Sequence, residues 1–372
     1  MSVAADATVE LALHGFQAAD AVVLQGYEPG SVGDVVDVLS DPTIWLGAAA
    51  GGAFGAALGA LPAFVFTGFL VIAGVFGGDA AGGVGVGVGF GPVFGPHISF
   101  AAGAAAAAYA AGQGDIQSGF DYHNGKDITV ALGSRPDILA VGAAFGILGI
   151  LIEQVFRNMA VPTDPIAFTV VASAFAHRVA FGYSVIGVVS GKADGYFDMG
   201  PFERGEKRDP NEVPGDGDKD SEDRLAVEPW LPNMYKWSHV AAIGLFTGLA
   251  GGYAALQTGN AFLGFGISAA SLLFLNLGIG KIPVTHHMTL PASTAYLAGI
   301  ATGFSPTLAL IVAGFFGLLG ALVGEGFQRV FYAHGDTHVD PPAASIAIVH
   351  TIIALLAIIG VFTTSVWVPG AV

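Results

Sequence analysis

The chain has 372 residues, of which 53% are hydrophobic and only 11% charged, with a formal net charge of −16 and no cysteine. A soluble domain usually carries roughly 25% charged residues, so the composition excludes an ordinary soluble protein. The missing cysteine excludes disulfides, thiolate metal sites and cysteine nucleophiles, and so acidic a chain is not expected to bind nucleic acid.

Residues 1–43 read as an acidic, amphipathic N-terminal segment. It holds Asp6, Glu10, Asp20, Glu28, Asp34, Asp37 and Asp41, and no Lys or Arg precedes Lys126. Val3 to Gln25 places Leu13, Phe16, Ala19, Val22 and Val23 at helical spacing, as expected of a helix lying on a membrane surface. A second short stretch around Asp37 and Asp41 suggests the same. No basic n-region opens the chain, so no cleaved signal peptide is expected. An acidic surface with little lysine suits high salt, where like charges are screened, which points to the membrane of a halophilic archaeon.

Residues 44–190 form a first membrane repeat, with apolar segments at about 44–62, 64–90, 97–112, 137–157 and 165–190. Residues 191–236 are rich in Asp, Glu, Lys, Pro and Gly and read as an acidic, solvated, flexible linker. Residues 237–372 form a second repeat, with segments at about 238–256, 259–280, 286–302, 306–330 and 343–368. Runs of ~20 apolar residues are what a bilayer-spanning helix needs.

The two halves match in detail. Trp45 leads into Gly51-x3-Gly55-x3-Gly59, and Trp237 leads into Gly244-x3-Gly248-x3-Gly252. GPHIS from Gly95 matches THHMT from Thr285, and FGILG from Phe145 matches FGLLG from Phe316. EQVFR from Glu153 matches EGFQR from Glu325, and Asp164-Pro165 matches Asp340-Pro341. The expected fold is therefore an all-α polytopic membrane protein of about ten transmembrane or re-entrant helices in two internal repeats of five. Five crossings per half would invert one repeat relative to the other. That arrangement puts Lys126, Arg135, the linker cations, Lys281 and Arg329 on one face and leaves only Arg157 on the wrong side. If the third segments are re-entrant instead, the repeats become parallel.

Those third segments carry the candidate site. His97 and Ser99 open one, and His286, His287 and Thr289 open the other. Taking Ser99 and Thr289 as N-caps, each helix is about fourteen residues, or ~21 Å, short of the ~30 Å hydrocarbon core. Broken, short helices at matching places mark a midplane binding site, where helix N-termini would face an anion or a hydrogen-bonding neutral solute. His177 and Arg178 sit near the centre of an apolar segment, where an ionisable group suggests function. Glu153 and Glu325 are the carboxylates nearest in type to pair with Arg178, and His350 lies in the matching helix of the second half. Glu153/Arg157 and Glu325/Arg329 are i,i+4 pairs with a stabilising or gating role. Asp164-Pro165 and Asp340-Pro341 read as helix starts. The glycine–valine run from Gly83 to Gly89 lacks the Lys-Ser/Thr of a phosphate loop, and His334-Gly-Asp336-Thr-His338 has metal-compatible residue types but no further partner in the sequence.

The leading expectation is a transporter or channel for a small solute or ion, with its pathway where the repeats meet, working in the lipid bilayer as a homo-oligomer without a cofactor and not as an enzyme. The alternatives are a structural or lattice-forming membrane protein without transport, and a membrane-embedded metalloenzyme using His97, His177, His286, His287 and His350.

Overall fold

A computed structural model describes residues 32–77, 84–116, 122–209, 212 and 224–369. The expected surface helix from Val3 to Gln25 lies outside these residues. The described chain is helical throughout, and its one β pairing among these residues is a bridge between Lys207 and Leu225.

After a short exposed helix, α1 (Val32–Leu39), come α2 (Pro42–Leu58) and α3 (Ala60–Phe76). A π-helical turn, Pro96–Phe100, runs into α4 (Ala101–Gly112). Then follow α5 (Pro136–Asn158), α6 (Pro165–Phe181), α7 (Trp237–Thr258) and α8 (Leu263–Asn276). The last three are α9 (His286–Ala301), α10 (Pro306–Phe331) and α11 (Pro341–Ile358). Four of these, α5, α7, α10 and α11, are long and apolar enough to cross a membrane, and the bent pair α2–α3 makes a fifth candidate. Large apolar side chains such as Phe246, Ile311 and Phe315 face outward, whereas His97, His177, Arg178 and His287 are buried. That inverts the usual soluble arrangement.

Local chemistry sets the boundaries. Asp41, Asp164, Ser305 and Asp340 each cap a helix whose first residue is proline, so the two Asp-Pro helix starts are as expected from sequence. Three boundaries differ. Gly59, read as the third member of a stripe, has φ +91° and ends α2, turning the chain through 118° into α3; only glycine adopts that conformation freely. Gly182, left-handed at φ 80°, stops α6 at Phe181, so Arg178 lies in the last turn rather than near the centre of a segment. Past Ile358 the chain leaves the helix and turns through Gly360 (φ 80°), bringing Trp367 back into the core.

Helices meet at glycine, as close packing in lipid requires. A Cβ on Gly52 of α2 would overlap the Gly142 carbonyl of α5, and one on Gly317 of α10 would overlap Gly248 of α7. α3 crosses α8 where Gly68 abuts Ala269 and Ala270, and α6 packs along α11. Thr163, just before α6, bonds to the Ala347 carbonyl within α11, and Arg178 in the last turn of α6 bonds to Thr337, ahead of α11. The two helices are therefore antiparallel.

The described part of 191–236 is not a solvated tether. Arg208, Arg224, Ala226, Val227 and Glu228 are buried, packed over the loops at 122–127 and 332–340. The reason is ionic. Lys126 Nζ lies 2.6 Å from Glu228, and Arg224 lies 2.6 Å from Asp336, so the linker charges find partners in the bundle. Arg329 adds bonds to the carbonyls of Phe197 and Tyr235.

Candidate functional site

Four helices begin at one cavity of about 970 Å³. Pro96, Asp164, His286 and Asp340, which open the Pro96–Gly112 segment, α6, α9 and α11, all line it. Asp164 and Asp340 close their own helices through side-chain caps. The other two N-termini have no side-chain cap, so the positive ends of those helices lie at the cavity, and the N–H of His286, at the first position of α9, has no intrahelical partner.

The wall is mainly aromatic and aliphatic. The Phe64 ring meets Phe100 at 5.7 Å, Phe265 at 5.8 Å and His286 at 4.8 Å between centroids. His286, the first residue of α9, is thus held between Phe64 and Phe265 (5.7 Å). Its ring makes no hydrogen bond among the described residues, and Nδ1 is buried without a partner. At the end of the same row, Phe100 meets His338 at 5.7 Å, and His338 Nε2 lies 3.0 Å from Asp340 Oδ1. Asp164 uses Oδ1 for the cap and Oδ2 for His350 Nδ1 at 3.3 Å. Each capping carboxylate therefore has one oxygen on backbone N–H and the other on an imidazole.

The remaining sequence candidates lie behind this wall. His97 and His287 are buried, with their carbonyls seated where Gly149 and Gly320 leave no room for a Cβ; the His287 ring packs on Trp230 at 5.9 Å. Ser99 and Thr289 are not N-caps, because both helices start earlier, at Pro96 and His286. Ser99 bonds back to the Gly95 carbonyl at 3.5 Å, and Thr289 meets Ser268 at 3.4 Å. His350 also meets Thr294 at 3.3 Å. His177 Nε2 is 2.9 Å from Thr337 Oγ1.

Arg178 donates to Thr337 Oγ1 (2.9 Å), the Thr337 carbonyl (2.8 Å) and the Val185 carbonyl (2.7 Å). Neither Glu153 nor Glu325 is its partner. Glu153 binds Arg157 and Gln154, and Glu325 binds Arg329 at 2.6 Å and Gln328 at 3.1 Å. Both i,i+4 pairs form as the spacing suggested, and of their four residues Arg157 lines the cavity.

Sequence reasoning passed over Phe64, Phe100 and Phe265, which stand in uniformly apolar stretches, and took Asp164 and Asp340 for caps alone. The residues of the His334–His338 loop separate: His334 faces the Tyr196 carbonyl at 3.3 Å, Asp336 pairs with Arg224, and His338 joins the cavity. Among the described residues no group of three His, Asp or Glu side chains is placed to hold a metal.

At the linker end, Lys126 lines the cavity and lies 4.7 Å from the Tyr332 ring centroid. Burial alone would raise the Glu228 carboxyl, but Lys126 and Arg224 outweigh it and hold it at about 2. Burial pushes the His334 imidazole down to about 4.

A family model matches residues 35–371, and the chain belongs to that family, described as one of unknown function (DUF7973). No curated protein and no solved structure matches the chain.

Proposed function

We propose that this member of the DUF7973 family is an integral membrane transporter or channel for a small solute, with its pathway through the cavity between two inverted repeats of five helices. The observation that carries the reading is the convergence of four helix N-termini on one cavity. Helices that start inside a bundle leave backbone donors where a solute can be held without its water. The antiparallel course of α6 and α11, and the paired glycine seats at Gly149 and Gly320, support an inverted relation between the halves. The membrane of a halophilic archaeon and a homo-oligomeric state belong to the same proposal and rest on composition.

Asp164 and Asp340 revise one part of the sequence reading. Beyond capping their helices, both carboxylates stand at the cavity wall, each joined to an imidazole. His286 is the group we assign to the solute, with His338 and the two aspartates in the wall beside it. Arg178, His177, His97 and His287 support the wall from behind.

The test is stopped-flow shrinkage of proteoliposomes over a panel of glycerol, urea, sodium chloride and potassium chloride, comparing wild type with Ala343→Phe, which puts a phenyl ring into the cavity beside the start of α11. At least one solute should move faster than in empty liposomes, and Ala343→Phe should remove that excess. A wild-type excess that survives Ala343→Phe contradicts the assigned pathway. No excess for any of the four contradicts a pathway for small polar solutes or inorganic ions.

A further inference from the structure

The cavity wall also indicates what kind of molecule fits it. Each cation on the inner wall is already neutralised: Lys126 by Glu228, and Arg157 by Glu153; Lys207, the remaining lining cation, is solvent-exposed. Both lining carboxylates are engaged by backbone N–H groups and histidines. A charged guest would shed its water against phenylalanine, leucine and isoleucine and find no free counter-charge, which is costly. A body of about 970 Å³ lined mainly by such side chains is also far larger than a hydrated inorganic ion needs, and it lies within the size range of sites for organic ligands.

One part of the wall is polar and unengaged. His286 is buried, its ring stands between Phe64 and Phe265 without a hydrogen bond, and the first turn of α9 beside it has no side-chain cap. These donors call for an acceptor oxygen. The edge-tilted rings of Phe64, Phe100 and Phe265 suit a flat apolar body.

We infer that the cavity binds an uncharged, largely apolar organic molecule that presents a carbonyl or hydroxyl oxygen to His286 and the start of α9. The inference rests on the transport reading for what the site does, but not for whether the site is occupied.

The experiment uses the full chain in nanodiscs and the uncharged naphthalene ketone 6-propionyl-2-dimethylaminonaphthalene. Energy transfer is read from tryptophan, since Trp230 and Trp367 line the cavity. The expected result is saturable transfer that is absent from empty nanodiscs and lost in Ala343→Phe. Competitors then define the class. 2-Acetylnaphthalene should displace the probe about tenfold better than 2-ethylnaphthalene, the worth of one buried hydrogen bond. Naphthalene-2-carboxylate and a naphthyl trimethylammonium should be weaker than both. In His286→Phe, which keeps a ring between Phe64 and Phe265, the acetyl advantage should disappear while binding of the ethyl compound persists.

Transfer that ignores Ala343→Phe, or a charged naphthalene that displaces better than the ketone, overturns the inference. An acetyl advantage that survives in His286→Phe overturns the role of His286. Saturable binding without flux would sink the transport reading and leave this one standing. Flux that depends on Ala343 without probe binding would do the reverse.

Discussion

Two buried polar regions of this molecule are built on opposite terms. Beneath the described part of 191–236, Lys126, Glu228, Arg224 and Asp336 are matched charge for charge over contacts of 2.6 Å. Around the cavity, a histidine sits among phenylalanines without a hydrogen bond, beside an uncapped helix end and open space. Paired charges hold a fold together, whereas an unpaired polar group next to a void is available to a ligand. Stability is thus expected to depend on this ionic cap, formed by 191–236 over the loops at 122–127 and 332–340, and solute handling on the cavity.

The strongest way to break that division is Glu228→Gln. It leaves Lys126 and Arg224 buried without their carboxylate, and loss of one partner of a buried pair costs about 3–5 kcal/mol. Thermal unfolding in detergent should shift sharply downward. An unchanged midpoint would mean the cap does not hold the bundle.

Acid should act on the same region by a few kcal/mol. His334 is held near 4 against an ordinary 6.5, so its stabilising contribution is complete above 6.5 and lost as pH falls through 4. Glu228 is held near 2 against 4.5, so its contribution is complete above 4.5 and lost as pH falls through 2. Stability measured by denaturation should therefore decline in two stages below about pH 6.5, and Glu228→Gln should lack the lower stage. Rising stability over that range would contradict the assignment.

Arg178→Gln sharpens the line between wall and support. It removes bonds to Thr337 and Val185 and should destabilise by roughly 1–3 kcal/mol. Flux per folded molecule should be unchanged, because Arg178 does not line the cavity. Reduced flux at full folding would return Arg178 to the solute site. His286→Phe should give the mirror image, with a melting point close to wild type and altered solute handling. A large loss of stability there would make His286 structural.

Much of this architecture was legible in the sequence. Asp-Pro pairs announce α6 and α11 because capping and proline's fixed φ act within one turn. The short third helices and the Glu–Arg pairs likewise follow from local spacing. What escaped was set by contacts distant in sequence. Gly59 looks like one more stripe glycine until its φ of +91° is known. Ser99 and Thr289 are plausible caps, yet Pro96 and His286 start their helices first. The linker reads as solvated because its partners, Lys126 and Asp336, lie in other loops. Phe64 and Phe265 carry no signal within apolar runs, and only the crossing of α3 and α8 brings them to the same histidine.

The claim at the centre is that the cavity belongs to a pathway reachable from both sides of the membrane. The chain has no native cysteine, so Ala343→Cys supplies a single thiol on the cavity wall. In sealed, uniformly oriented proteoliposomes, a membrane-impermeant methanethiosulfonate should label that thiol whether added outside or trapped inside. Labelling from one side alone would make the cavity a one-sided pocket, labelling from neither would make it a closed one, and either contradicts the account.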